Sequence, residues 1–350
     1  ERVILFANSP PVRMTRSGYA YASKETGVSN LPKEMYPEFA TYMADIAEHF
    51  ITEMNIPVYA VSPINEPQWK WDTNKQEGCH YKPDEVADLI KLMIKEVSRR
   101  KIDIQVDAPE SGSWKRYEDF EEKGHEIKLD YLTALFKDDD IRNSLDYYVL
   151  HSYWSKPEDK KTFADYFYKT YPDKKLHMSE WCQMQRQRDY GMDSALTLAN
   201  EIMDDLLIGR VSSWQCWIAV SKYDFHDGLI YVDDTAKTFQ TTKRLWAKGN
   251  FSKFIRPGFR QVKTAHNLKG VKLLAAQSPN EKELVLVAIN NTQDSVEVKL
   301  KLPKELKLNR SVIAETSEHC DLRMSQAGPL ADRYTFAPQS ITTMQLTVQD

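Results

Sequence analysis

The chain has 350 residues, with 47 Lys and Arg against 51 Asp and Glu for a formal charge of -4, and 8 Trp and 18 Tyr within an aromatic content of 11%. That length holds one large domain, or a large and a small one, with ample core. The near balance of charge leaves no basic stripe for nucleic acid and no polybasic membrane patch, and no run approaches the ~18 apolar residues of a membrane span.

From the N-terminus, short apolar segments that read as strands alternate with segments that carry helical spacing. The strand candidates are Val3–Asn8, Val58–Ser62, Ile102–Ala108, Asp146–His151, Leu176–Ser179 and Ser212–Ala219. Between them lie helix candidates at Leu31–Asn55, Lys82–Arg100, Leu129–Phe136, Thr162–Tyr168 and Asp193–Ile208, with Pro32 and Pro83 placed to start helices. The alternation predicts a parallel sheet with helices outside it. After Asn250 the texture changes to apolar or alternating runs such as Glu283–Asn290 and Ser295–Leu302, broken by Asn-Asn, Pro and Gly turns, which predicts a small antiparallel sandwich.

A closed barrel of eight parallel strands fits this pattern, yet only six strands precede the sandwich. We therefore expect the first two β/α units to lie outside this sequence, the alternative being an open sheet. The expected fold is α/β: a (β/α)8 TIM barrel lacking its first two strands over residues 1–252, followed by a C-terminal antiparallel β-sandwich over residues 253–350. A cleavable leader is expected to have been removed from a secreted, periplasmic or cell-surface protein.

Two glutamates end buried strands. Glu66 stands in Pro63-Ile64-Asn65-Glu66-Pro67, and Glu180 in His177-Met178-Ser179-Glu180-Trp181. A parallel barrel gathers the C-terminal ends of its strands around one cleft, so distant carboxyl groups can face each other there. Glycosidic cleavage through an oxocarbenium-like transition state needs such a pair, one protonated and one ionised. Asn65 can hold a sugar hydroxyl while the acid beside it protonates the bridging oxygen. For each glutamate the plainer reading is a turn or capping carboxylate.

His151, Ser152, Tyr153 and Trp154 end the strand before Glu180 and should reach the same rim. The Tyr153 hydroxyl is placed to donate to Glu180, while His151 reads equally as a rim residue or a hydrogen-bonded core histidine. Trp214 and Trp217 share the last predicted strand and face opposite sides, with Trp217 favoured for the sugar. Trp69 and Trp71 follow Glu66 in a polar loop, either as an exposed platform or folded back and buried.

Glu118–Glu122 and Asp138–Asp140 read as solvated acidic faces. Cys79, Cys182, Cys216 and Cys320 have no zinc or C-x-x-C spacing, and Cys182 and Cys216 read either as neighbours or as buried free thiols. No metal cluster, P-loop or dinucleotide fingerprint stands out, so no metal or other cofactor is expected.

Several of these segments, in order, resemble glycoside hydrolase family 30: Asn8-Ser9-Pro10-Pro11, Leu31-Pro32, Ser62-Pro63-Ile64-Asn65-Glu66-Pro67, Gln76-Glu77-Gly78-Cys79, Ser179-Glu180 and Gly249-Asn250-Phe251-Ser252-Lys253-Phe254-Ile255-Arg256-Pro257-Gly258. The resemblance implies a retaining β/α-barrel glycosidase with an appended sandwich. In it Asn8 ends the third barrel strand, Glu66 the fourth as acid/base, and Glu180 the seventh as nucleophile.

One position departs from the family pattern. Arg13 stands where the family often carries Trp in SPPxWM, which puts a cation where a sugar-facing ring would be, to bind an acidic substituent or to pair with a carboxylate. The candidate site is then Glu66 and Glu180 as catalytic residues, with Asn8, Arg13, Asn65, Trp69, Trp71, His151, Tyr153 and Trp217 as substrate contacts.

Gln76-Glu77-Gly78-Cys79 resembles the branch that includes β-1,6-galactanases. Endo-cleavage of β-1,6-galactan by a monomer is therefore the first expectation, glucuronoxylan the second, with β-1,6-glucan and glucosylceramide-like β-glucosides also open. The reading from another class is a carbohydrate-binding protein that kept the cleft and lost turnover.

Overall fold

The computed structural model describes residues 2–22, 29–122, 124–301, 308–327 and 333–348. Of the sequence expectations, Glu1 at the chain's opening strand and Leu302 at the end of a sandwich segment lie outside them. Chain contacts divide the protein into two compact units, Glu1–Trp181 with Ile208–Gln215, and Cys182–Leu207 with Cys216–Asp350.

In the first unit, Val3–Phe6, Val58–Ser62 and Gln105–Val106 form a parallel sheet in that order, and Pro109–Ser111, Tyr147–His151, Lys175–Glu180 and Ser213–Trp214 form a second. The segment between Val106 and Pro109 joins the two: the Asp107 N–H donates to Val61 O at 2.8 Å, and the Ala108 carbonyl accepts from Val149 N at 2.9 Å. The parallel strands of the two sheets thus follow chain order, without the reversal of strand order that marks an open doubly wound sheet.

Helices fill the crossovers as their apolar spacing dictates. Pro83–Arg100 starts on a proline, whose missing N–H costs nothing at that position, and buries Val86, Leu89, Ile90, Met93 and Val97 at helical intervals. Tyr36–Thr52 follows a short 3-10 turn at Lys33–Met35, so the predicted Leu31 start is early by about a turn. Tyr131–Phe136 and Pro157–Thr170 supply the next crossovers.

One acidic stretch differs from the sequence reading, while in the other Asp139 and Asp140 are exposed as expected and Asp138 has a further role. Glu118–Glu122 is a strand, paired with His125–Leu129, and it buries Glu118 and Phe120. The hairpin was hidden because charges occupy most of its outward positions. Asp138 caps the helix Asp139–Ser144, accepting from Asp140 N and Ile141 N at 2.9 and 3.1 Å, and it pairs with Lys91. The last predicted strand also shrinks, to Ser213–Trp214. Beyond Cys216 the backbone pairs elsewhere, with Ile218 N donating to Asp227 O and Ala219 O accepting from Ile230 N, both at 2.9 Å. Trp217 therefore does not share a strand with Trp214; it lies in the second unit, half-buried.

In that second unit, Arg260–Val262, Val271–Gln277, Glu283–Asn290, Ser340–Val348, Leu308–Ser317 and Cys320–Ala327 form a six-stranded antiparallel sheet in that order. Leu284, Leu286, Ala288, Met344 and Leu346 share an apolar cluster with Val298 and Phe336 of a two-stranded sheet. Val285, Val287 and Ile289 are fully buried on the opposite side, so Glu283–Asn290 reads as a continuous apolar run. Each such side chain contributes about 1.5–3 kcal/mol of burial.

The helices Met192–Leu207 and Lys243–Ser252 pack on each other and against this sheet. Asn250 ties the second helix down: its amide donates to Thr316 Oγ1 at 2.6 Å, and its backbone carbonyl accepts from Thr343 Oγ1 at 2.7 Å. No disulfide joins any of the four cysteines, Cys79, Cys182, Cys216 and Cys320.

Candidate active site

The C-terminal ends of the first unit's strands bring the predicted carboxyl pair together. An oxygen of Glu66, an oxygen of Glu180 and His151 Nδ1 all lie within 4.8 Å of one another. His151 Nδ1 is 3.0 Å from Glu66 Oε1 and 3.9 Å from Glu180 Oε1, and Tyr153 Oη donates to Glu180 Oε1 at 2.9 Å. Asn65 is buried beside Glu66. Asn8 follows a strand whose neighbour carries Ser62, and Ala7 N donates to Ser62 O at 2.9 Å, so Asn8 stands on the same rim.

The loop after Glu66 folds partly back over the acid. Trp71 is half-buried and its Nε1 donates to the Glu66 carbonyl at 2.9 Å, while Trp69 stays 41% exposed and meets the exposed Trp154 edge to face, with centroids 5.5 Å apart. Gly78 permits the Trp71 position, because a Cβ there would sit 2.1 Å from the indole. A cleft of about 410 Å³ opens beside the acid, lined by Trp69, Trp71 and Phe120 with Lys70, Asp72, Asp119 and Glu121. His80 stacks flat on Phe120 at 4.2 Å and so pins the hairpin to the loop. Arg13 pairs with Glu38 at 2.8 Å on an exposed face and lies over the Tyr42 ring. Trp217 belongs to the second unit.

One central group was missed by sequence reasoning. Glu110, 5% exposed, accepts from Ser62 Oγ at 2.8 Å and from Ser179 Oγ, and its Oε2 lies 3.3 Å from His151 Nε2. Its only sequence signal is a carboxylate just past a strand, in Asp107-Ala108-Pro109-Glu110-Ser111.

The site's electrostatics follow from this crowding. Burial alone would push the His151 imidazolium down, but hydrogen bonds with Glu110 and Glu66 and the field of Glu180 outweigh it and hold it up at about 10. Burial pushes the Glu180 carboxyl above the ordinary glutamate range; His151 and the Tyr153 hydroxyl oppose this, while Glu66 and Glu110 reinforce it. Glu66, His151 and Glu180 are close enough together to hold a metal ion. The contacts of His151 Nδ1 with Glu66 and of the Tyr153 hydroxyl with Glu180 also link the three groups as a proton network.

Beneath it lies Asp107, 1% exposed, which accepts from Tyr147 Oη at 2.7 Å. Burial and then the field of Glu110 push its carboxyl up to about 8. A carboxyl raised on folding binds its proton more tightly in the native state. Its contribution to stability is full below the ordinary Asp range and is lost as pH rises through about 8. Asp107→Asn is expected to flatten the fall in wild-type melting temperature between about pH 4 and 8, leaving the variant several degrees ahead at the alkaline end. Calorimetry across that range checks it, and parallel curves would assign the alkaline loss to another group.

Residues 1–231 match the family model described as O-Glycosyl hydrolase family 30. The chain belongs to that family. An endo-beta-1,6-galactanase of Hypocrea rufa is 35% identical over 98 residues, a stretch covering 27% of this chain and 20% of that protein. The chain thus aligns to about a fifth of that relative's length.

Among solved structures, a conserved exported protein from Bacteroides fragilis superposes with a TM-score of 0.83 at 23% identity, covering 98% of this chain and 76% of that one. A GH30 endoxylanase from Clostridium papyrosolvens C71 does so with a TM-score of 0.74 at 22% identity, covering 99% and 80%. At these identities the likeness is one of fold. Family 30 membership and the clustered Glu66 and Glu180 rest on independent observations, one from sequence and one from geometry.

Proposed function

We propose that the chain is a retaining, endo-acting β-glycosidase in which Glu180 attacks the anomeric carbon and Glu66 serves first as acid and then as base. The observation that carries this is the approach of one oxygen of Glu66 to one oxygen of Glu180 within 4.8 Å, with a tyrosine hydroxyl on Glu180. Retention places the carboxyl groups about 5–5.5 Å apart, whereas inversion needs about 6.5–9.5 Å to admit a water. On this reading Glu66 protonates the departing oxygen as Glu180 forms the glycosyl ester. Glu66 then takes a proton from the water that releases the sugar.

The same reading makes the first unit's strands part of a (β/α)8 barrel over residues 1–252, carrying a sandwich over residues 253–350, in an exported monomer. Asn8 and Asn65 hold the glycone, and Trp69 with Trp154 receives the leaving-group side.

The substrate we favour is β-1,6-linked galactan. Support comes from the identity to the galactanase and from the cleft beside Glu66, where Asp72, Asp119 and Glu121 outnumber Lys70 and disfavour a uronate. Arg13, engaged with Glu38, gives little support to glucuronoxylan. The deciding experiment is reducing-end release from β-1,6-galactan, β-1,6-glucan and glucuronoxylan in parallel. Faster release from galactan supports the assignment, faster release from either other polymer replaces it, and binding without release from any of the three supports the non-catalytic reading.

Removing the Tyr153 hydroxyl should move the pH profile in a set direction. Tyr153→Phe takes away a donor that favours ionised Glu180, so the acid limb of kcat/KM should move to higher pH, and turnover at neutral pH should fall by about 10- to 100-fold. An unmoved acid limb would detach Tyr153 from the nucleophile.

A further inference from the structure

We propose that Glu110 is a positioning residue for the acid at Glu66: it anchors the far side of the His151 ring, which fixes Nδ1–H as a donor to Glu66 Oε1 and confines the transferable proton to Oε2. This rests on the assignment of Glu66 as the acid.

The geometry carries the inference at several points. Glu110 is buried, and its carboxylate gathers three strands, meeting Ser62 on one, Ser179 on a second and His151 on a third. It also holds the backbone of Glu66, because the Glu66 N–H donates to the Glu110 carbonyl at 2.9 Å. Both glutamates sit at positive φ, 42° and 59°, a region that costs non-glycine residues about 1–3 kcal/mol each and is kept only where surroundings enforce it.

The donor inventory then sets the ring's protonation. Both oxygens of the Glu110 carboxyl accept from serine hydroxyls, so the ring nitrogen facing it donates a hydrogen to an accepting oxygen. A protonated acid with its hydrogen on Oε2 presents Oε1 as a pure acceptor, so Nδ1 carries one too. The groups facing His151 are Glu66, Glu110, Glu180 and Tyr153, with Asp107 behind Glu110. They make a negative surround, in line with an imidazolium held at about 10.

With Glu110 neutral, the ring can shed a proton. Nδ1 is then free to accept the hydrogen of Glu66 that should go to the leaving oxygen. The proton stays in the enzyme and the glycosidic oxygen departs unassisted.

The test is Glu110→Gln, which keeps the shape and both serine partners. Ring nitrogens of 15N-histidine-labelled protein are followed by NMR between about pH 5 and 8. Wild-type His151 should remain doubly protonated throughout, whereas the variant should lose one ring proton within that range. On the polymer that wild type cleaves, kcat should fall at least about 10²-fold, with KM within about twofold. Ser62→Ala removes another partner of Glu110 without touching the ring and should leave the histidine signals as in wild type.

If Glu110→Gln does not fold, Glu110→Asp, which withdraws the carboxylate from the ring, is read in the same way. A variant ring that stays doubly protonated, or a change in KM alone, overturns the proposal. The NMR reading needs no turnover. An inactive wild type would therefore count against the glycosidase assignment, while an unchanged ring would count against the role of Glu110.

Discussion

Glu180→Gln is expected to lose polysaccharide cleavage on the order of 10⁵-fold, the scale of removing a covalent nucleophile, while remaining folded. The amide is nearly isosteric, and the Tyr153 hydroxyl can donate to its oxygen as it does to the carboxylate at 2.9 Å. It cannot form the glycosyl ester. The same change should raise the melting temperature near neutral pH. Burial holds the Glu180 carboxyl above its ordinary range, so keeping it ionised there costs stability that glutamine does not. Reducing-end assays and calorimetry on one preparation check both parts. A variant that keeps a tenth of its activity would remove Glu180 from the nucleophile's role, and a lower melting temperature would mean that the carboxylate is holding the fold.

Glu66→Ala should separate the two half-reactions. With polysaccharide, whose leaving alcohol needs a proton, turnover should fall by about 10³-fold or more. With an aryl glycoside of a good leaving group, the glycosyl-enzyme should still form, giving a burst followed by slow release, because the base for water has gone. Azide, which needs no base, should restore the second step and yield a β-glycosyl azide. An α-azide would mean inversion, and indifference to azide would take the acid/base role from Glu66. The carboxyl is buried, and the main chain at this position is held independently through the Glu110 carbonyl at 2.9 Å, so the backbone should tolerate the change.

The carboxyl pair was legible because Pro63, Pro67 and the apolar runs before Glu66 and Glu180 mark where buried strands stop, and parallel strands bring their ends together. The end of the neighbouring strand carried the same logic to Tyr153. Glu110 was not legible in that way. Its partners Ser62, His151 and Ser179 come from three distant strands, and no local spacing records a contact made only by folding. The last predicted strand was drawn too long, through Trp217, for a related reason: an apolar run continues past Trp214, yet its backbone hydrogen bonds go to residues Asp227 and Ile230. In the Glu118–Leu129 hairpin, charges masked the alternation around Phe120 and Ile127.

The division into units has a consequence for how this chain can be cut. The polypeptide passes from one unit to the other after Trp181, after Leu207 and again after Gln215. No single nick separates the units, and truncation after Ser252 would leave Met192–Leu207 and Lys243–Ser252 without the sheet that covers their apolar faces. During synthesis the first unit must wait for Ile208–Gln215, by which time a helix of the second has already emerged. Swapping the C-terminal sheet for one from a relative therefore calls for carrying Cys182–Leu207 along with it.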